Sequence, residues 1–116
     1  MGYNEMFRDK TKRLALAIIK TFSSLPYSDT IAIIRKQIIR SSTSVAANYR
    51  ALNRARSDKE RFAKLCIVIE EADETLFWLE LAEELNLIST GQLKQLIQDA
   101  EEIVKATASY RKKLSQ

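Results

Sequence analysis

The sequence predicts an all-α protein, an antiparallel up-down-up-down four-helix bundle, and three observations carry that prediction. The 116-residue chain holds two glycines and one proline, so little of it suits β-turns, and it is rich in Ala, Leu, Ile, Glu, Lys and Arg, mostly strong helix formers. Apolar residues recur at three- and four-residue spacings through four long segments rather than alternating. Short stop-and-start signals separate those segments. Four amphipathic helices on short turns run antiparallel to their neighbours and bury their stripes against one another. At 13.3 kDa residues 1–116 make one domain, with no repeat, linker or low-complexity segment.

Helix 1 is expected over about 6–24. Phe7, Leu14, Ala15, Ile18, Phe22 and Leu25 form its inward stripe. Pro26 ends it, because proline disfavours the helical conformation in the residue before it. Ser28 or Asp29 can then cap helix 2. Helix 2 is expected over about 30–56, with two sevenfold rows: Ile31, Ile38, Val45, Leu52, and Ile34, Ser41, Asn48, Ala55. That is a bundle seam. Its polar member Asn48 is read as a structural, hydrogen-bonded buried amide that fixes register or a chain bend.

Ser57-Asp58-Lys59-Glu60 is a capping box, in which Ser57 and Glu60 satisfy orphan amides. It predicts a near-direct break into helix 3, over about 57–86 and roughly 45 Å long. Phe62, Leu65, Ile69, Ala72, Leu76 and Leu79 are its expected seam. Asn86 suits a C-cap, and Ser89-Thr90-Gly91-Gln92 reads as a second capping box. Helix 4 is expected over about 90–113. Leu93, Leu96, Ile97, Ala100, Ile103, Val104, Thr107 and Leu114 point inward, and Lys112 and Lys113 complement the dipole at its end.

Composition excludes much chemistry. There is no histidine, which removes Ser-His and Cys-His nucleophilic pairs and the Glu-x-x-His ligands of di-iron bundles. Glu71 and Glu74 share a helical face, but without histidine partners they read as a charged surface rather than a metal site. Cys66 has no base on offer and reads as a packed thiol. Gly2 and Gly91 cannot make a phosphate-cradling loop. The expectation is a protein that is not an enzyme, with no cofactor and no metal. The longest apolar run, Leu14 to Ile19, is far short of the roughly 20 residues that span a bilayer. A single cysteine makes the reducing cytoplasm the default compartment.

Charge is unevenly spread. The net charge is +4, yet residues through Arg61 carry a balance of +8 and those from Phe62 onward a balance of −4. No acid occurs between Asp29 and Asp58, and in that span lie Arg35, Lys36, Arg40, Arg50, Arg54 and Arg56. At about 100° per residue, Arg35, Lys36, Arg40, Arg50 and Arg54 lie opposite the helix 2 seam. A fixed basic stripe of this kind binds phosphates without reading bases, so those five residues are the candidate nucleic-acid contacts.

The same outer side carries Thr43, Ala46, Ala47 and Ala51, small residues that arginines alone would not require. On helix 3, Ile67, Trp78, Leu81 and Leu85 lie opposite the predicted seam, interleaved with Glu70, Glu71 and Glu74. An apolar outer patch predicts a homo-oligomer. Its interface would use Ala47, Ala51 and those helix 3 residues, with helix 2 arginines meeting helix 3 carboxylates of a neighbour. The alternative to nucleic-acid binding is therefore an oligomeric protein-interaction scaffold that uses its arginines in subunit contacts. The fate of Arg50 and Arg54 discriminates the two.

With those residues in view, the chain resembles the four-helix-bundle family encoded by intervening sequences inside bacterial 23S ribosomal RNA genes, also called S23-like. The likeness runs through Ser44-Val45-Ala46-Ala47-Asn48-Tyr49-Arg50-Ala51 and Arg56-Ser57, then Phe62 to Ile67, Glu70 to Leu76 and Leu85 to Ser89. Tyr49-Arg50-Ala51 stands where a common form of the family has a Glu-Gly pair after the asparagine region. The resemblance implies ring-like homo-oligomers, pentamers in particular, and no catalytic residues. It also extends to similar barrel-shaped accessory proteins of diversity-generating retroelements, which implies RNA or DNA and a reverse transcriptase-like protein as partners.

Overall fold

The computed structural model describes residues 2–115. Those residues form four α-helices and no strand: α1 (Tyr3–Ser23), α2 (Asp29–Leu52), α3 (Asp58–Glu84) and α4 (Thr90–Leu114). They pack in sequence order around one core, α1 against α2, α2 against α3, α3 against α4, with a lighter α1–α4 contact closing the bundle. The body measures 44 × 23 × 22 Å.

Side-chain contacts give the directions. Tyr49 of α2 reaches Asn4 of α1, and Thr75 of α3 reaches Ser41 of α2. Arg111 of α4 lies beside Cys66 of α3, while Lys10 of α1 meets Asp99 and Glu102 of α4. Each neighbouring pair is antiparallel. One end of the body thus holds the start of α1, the α2–α3 turn and the end of α4.

The turns follow their local chemistry. Ser28 caps α2, its Oγ accepting from the Ile31 amide at 3.0 Å. Ser57 caps α3 by accepting from the Glu60 amide at 3.1 Å, and Glu60 Oε2 accepts from the Arg56 amide at 3.3 Å. The box forms, but it reaches one residue further back than the ideal reciprocal pair. Helix α2 stops at Leu52 rather than near 56, so a five-residue turn, 53–57, replaces the expected near-direct break. At the end of α3, Asn86 takes φ 54°. The Leu87 amide donates to Ala82 O and the Asn86 amide to Glu83 O, the bonding of a Schellman cap with asparagine in the left-handed position. Ser89 departs from expectation: its hydroxyl meets the Gln92 side chain at 3.3 Å and caps no amide of α4.

The core confirms most of the predicted stripes and rotates one. On α3 the buried residues are Leu65, Val68, Ala72, Thr75, Leu79 and Ala82, an alternation of three and four that the broader apolar content of this helix obscured. Phe62 of the predicted seam is 38% exposed, and Ile69 and Leu76 are half-buried. On α2, Tyr49 is fully buried between the Val45 and Leu52 positions, its hydroxyl donating to Asn4 Oδ1 at 3.3 Å. Asn48 is only half-buried. Its amide nitrogen donates to Ser44 O at 2.9 Å and reaches Ser44 Oγ at 3.1 Å, so it ties one turn of its own helix instead of pinning register between helices. That register is held by Ser41 and Thr75, both buried, with Thr75 Oγ1 donating to Ser41 Oγ at 2.8 Å.

Candidate nucleic-acid interface

The five cations expected on helix 2 do not form one surface, and Arg54 lies beyond the end of α2. Arg35 and Arg50 are 15 positions apart, about 22 Å along the helix axis, and their side chains have different tasks. Arg35 Nη1 donates to the carbonyls of Phe22 at 3.2 Å and Leu25 at 3.1 Å. It closes the end of α1, where the helix dipole favours a cation. Arg40 donates through Nη1 to Glu71 at 2.8 Å and through Nη2 to Glu74. The helix 2 to helix 3 charge pairing expected between subunits is, for Arg40, made inside one chain. The Glu71 hydrogen bond raises the pKa of the Arg40 guanidinium. Lys36, Arg50 and Arg54 are exposed and have no side-chain partner among the described residues.

What the bundle brings together is its α2–α3 end. Arg54 and Arg56 lie in the turn, Lys59 and Lys64 on the first two turns of α3, and Lys112 and Lys113 on the last turn of α4. Because α3 and α4 are antiparallel with Cys66 level with Arg111, Lys64 lies level with Lys113. None of these six has a side-chain ion pair among the described residues, and only Lys64 is less than exposed. Two further cations there are engaged: Arg61 donates to Asp58 at 2.8 Å and to Ala55 O at 3.3 Å, and Arg111 Nη1 lies 3.9 Å from Cys66 Sγ. Asp58 and Glu60 on the first turn of α3 and Glu5 on the first turn of α1 are acids at that end. Periodicity along one helix could not reveal this cluster, since two of its six cations, Lys112 and Lys113, come from the far end of the sequence.

The body is polar along its length. From Cys66 to Gly91 the sequence has no lysine or arginine and seven acids. The outer side of α3 carries Glu70, Asp73 and Phe77, with Phe77 53% exposed. Ile67 and Leu85 are exposed as expected, but Trp78 and Leu81 are half-buried and pack on the core. Trp78 Nε1 lies 3.4 Å from Glu74 Oε2, and its ring meets Phe77 edge-on at 4.9 Å. The outward aromatic is thus Phe77, one residue from the expected tryptophan.

Between α1 and α2 runs an open groove of about 820 Å3. Ala46, Ala47 and Thr43 floor it, Leu16 and Ile19 form an apolar wall, and Arg8, Lys12 and Arg50 line its charged side. Arg50 thus faces the groove, whereas Arg54 stands at the end of the bundle. Ala51 is half-buried beside them. Glu5 and Asp9 are the groove's acids, and Asp9 is paired with Arg13 at 2.7 Å.

Four helices in this order, with the asparagine region at the end of α2, can be compared with known proteins. A family model described as 23S rRNA-intervening sequence protein matches residues 6–109, nearly the whole bundle. The chain belongs to that family. A crystal structure of a protein of unknown function from the S23 ribosomal protein family of Bacteroides thetaiotaomicron is similar, with a TM-score of 0.85 and 33% sequence identity. The likeness covers 94% of this chain and 97% of that one. Among curated proteins nothing matches. Membership of the 23S rRNA-intervening sequence protein family accounts for the all-α architecture. No helix among the described residues is long and apolar enough to cross a membrane.

Proposed function

We propose that this protein is a cytoplasmic, non-enzymatic homo-oligomer that binds nucleic acid, structured RNA foremost, through the basic α2–α3 end of each bundle. The observation that carries the reading is the convergence of Arg54, Arg56, Lys59, Lys64, Lys112 and Lys113 at that end without ion-pair partners. Fixed cations unneutralised by their own chain release counterions from a phosphate backbone, which is the dominant sequence-independent term in nucleic-acid affinity. The acidic α3 outer side turns phosphates away from that side of the body, so the charge layout also orients the ligand. Arg35 and Arg40 are engaged structurally, which removes two of the five expected cations from the interface. The ring form, with five copies, is what the resemblance implies.

A protein-interaction scaffold is the second reading. It is favoured by the exposure of Ile33, Phe77 and Leu85, apolar groups that a solitary bundle has little reason to present. The two readings part on RNA binding by the purified chain, with its mass in solution known. Six contacts predict log K falling with log salt at a slope of about −4 to −5. The variant Arg56→Ala/Lys59→Ala/Lys112→Ala/Lys113→Ala should lower the slope by about 3 units. Replacing Arg35, Lys36 and Arg40 should change affinity far less. No binding at low salt from an intact oligomer would refute nucleic-acid binding and leave the scaffold.

A further inference from the structure

We infer that the α1–α2 groove of one copy receives the outer side of α3 from a second copy, so that the subunits join head to tail. This rests on the homo-oligomer reading and assigns its two halves. The groove is open, floored by Ala46 and Ala47 and walled by Leu16, which is 45% exposed. A floor of such small side chains lets another helix approach at the short end of the 8–10 Å range of interaxial distances. Its α1 wall runs from Glu5 to Ile19, about 21 Å or four helical turns.

The outer side of α3 has the matching shape and the opposite charge. Ile67 and Phe77 stand out from it, and the exposed Glu70 and Asp73 lie between them with no cation in the segment. The groove offers Arg8, Lys12 and Arg50 in return, and Arg13 already occupies Asp9. Apolar groups thus meet apolar groups while carboxylates meet guanidinium and ammonium groups, the complementarity that fixes register between partners. The two surfaces lie on different sides of the bundle, so one twofold axis cannot mate each with its counterpart. The contact is heterologous, and such contacts close into rings or run on as filaments. The basic α2–α3 end stays outside this joint, free for nucleic acid.

The test is solution mass by light scattering of the full chain and of two single variants. Ala47→Glu fills and charges the groove floor, and Phe77→Arg sets a cation on the α3 side; both sites are exposed. Each variant alone is expected at the mass of one chain. An equimolar mixture should double that mass and stop there, because each pair retains one sound groove and one sound α3 side. Circular dichroism checks folding, and Leu16→Glu and Glu70→Arg serve as the second pair if either first variant unfolds. Folded variants that keep the wild-type oligomer mass would overturn the docking while leaving self-association intact. A mixture that stays monomeric would also overturn it. A monomeric wild type would refute the homo-oligomer reading itself.

Discussion

Replacing Arg35 separates structural from nucleic-acid roles on α2. Its guanidinium donates two hydrogen bonds to the carbonyls of Phe22 and Leu25 where α1 ends, and Phe22 O also accepts from the Leu25 amide at 3.3 Å. Hydrogen bonds from a charged donor contribute about 1.5–3 kcal/mol each when well sheltered. The site is half-buried, so solvent screening and replacement by water reduce the pair to about 2 kcal/mol. With a urea m-value of about 1.3 kcal/mol/M, Arg35→Ala should lower the unfolding midpoint by about 1.5 M. Arg35→Lys keeps a cation near the negative end of α1 but loses the rigid planar group that places Nη1 between the two carbonyls, and should recover about 0.5 kcal/mol. RNA affinity of both folded variants should stay within about twofold, since this arginine adds no phosphate contact. Equilibrium urea unfolding and a binding titration on the same preparations check both halves. Unchanged stability together with a tenfold loss of affinity would show that Arg35 is free for phosphate.

Other predictions concern the core and caps. Tyr49 is fully buried, and burial foremost pushes its phenol pKa above the ordinary value near 10. The unfolded chain therefore ionises first as pH rises: stability contributed by the neutral phenol is intact below pH 10 and declines above it. Tyr49→Phe should flatten that alkaline decline in unfolding measured from pH 9 to 11; an unchanged slope would contradict the assignment. A double-mutant cycle of Ser41→Ala and Thr75→Val should show a coupling of about 1 kcal/mol across α2 and α3, and strict additivity would mean that the hydroxyls do not bond. Asn86 holds a left-handed conformation at φ 54°, so Asn86→Val should cost about 1 kcal/mol and Asn86→Gly almost nothing in thermal unfolding. Equal losses for both would refute the Schellman cap.

The fold was legible because helix periodicity, the Ser28 and Ser57 caps and Pro26 all agree, and agreement across levels is what specifies one structure. Where the reading slipped, a local rule had two solutions. Helix α3 is apolar on more than one side, so the stripe through Phe62, Ile69 and Leu76 and the stripe through Leu65, Val68 and Ala72 compete. Packing against Ser41 and its neighbours decides for the second. Asn48 sat in a sevenfold row and suggested a buried register pin, yet the adjacent Tyr49 fills the core and turns the asparagine toward Ser44. Arg35 and Arg40 illustrate a further limit. A helical wheel shows which side a cation takes, but not whether a chain terminus or a carboxylate on the next helix already holds it. The basic end was invisible for the same reason, because Lys112 and Lys113 reach the end that holds Lys59 and Lys64 only once α4 has folded back along α3.

The most direct measurement is lysine-reactive footprinting of the intact assembly with and without RNA, read residue by residue by mass spectrometry. Protection of Lys59, Lys64, Lys112 and Lys113 is expected, with Lys20, Lys36 and Lys94 reacting equally in both states. Protection centred on Lys36 or Lys94, or none on the α2–α3 end while RNA is bound, would contradict that expectation.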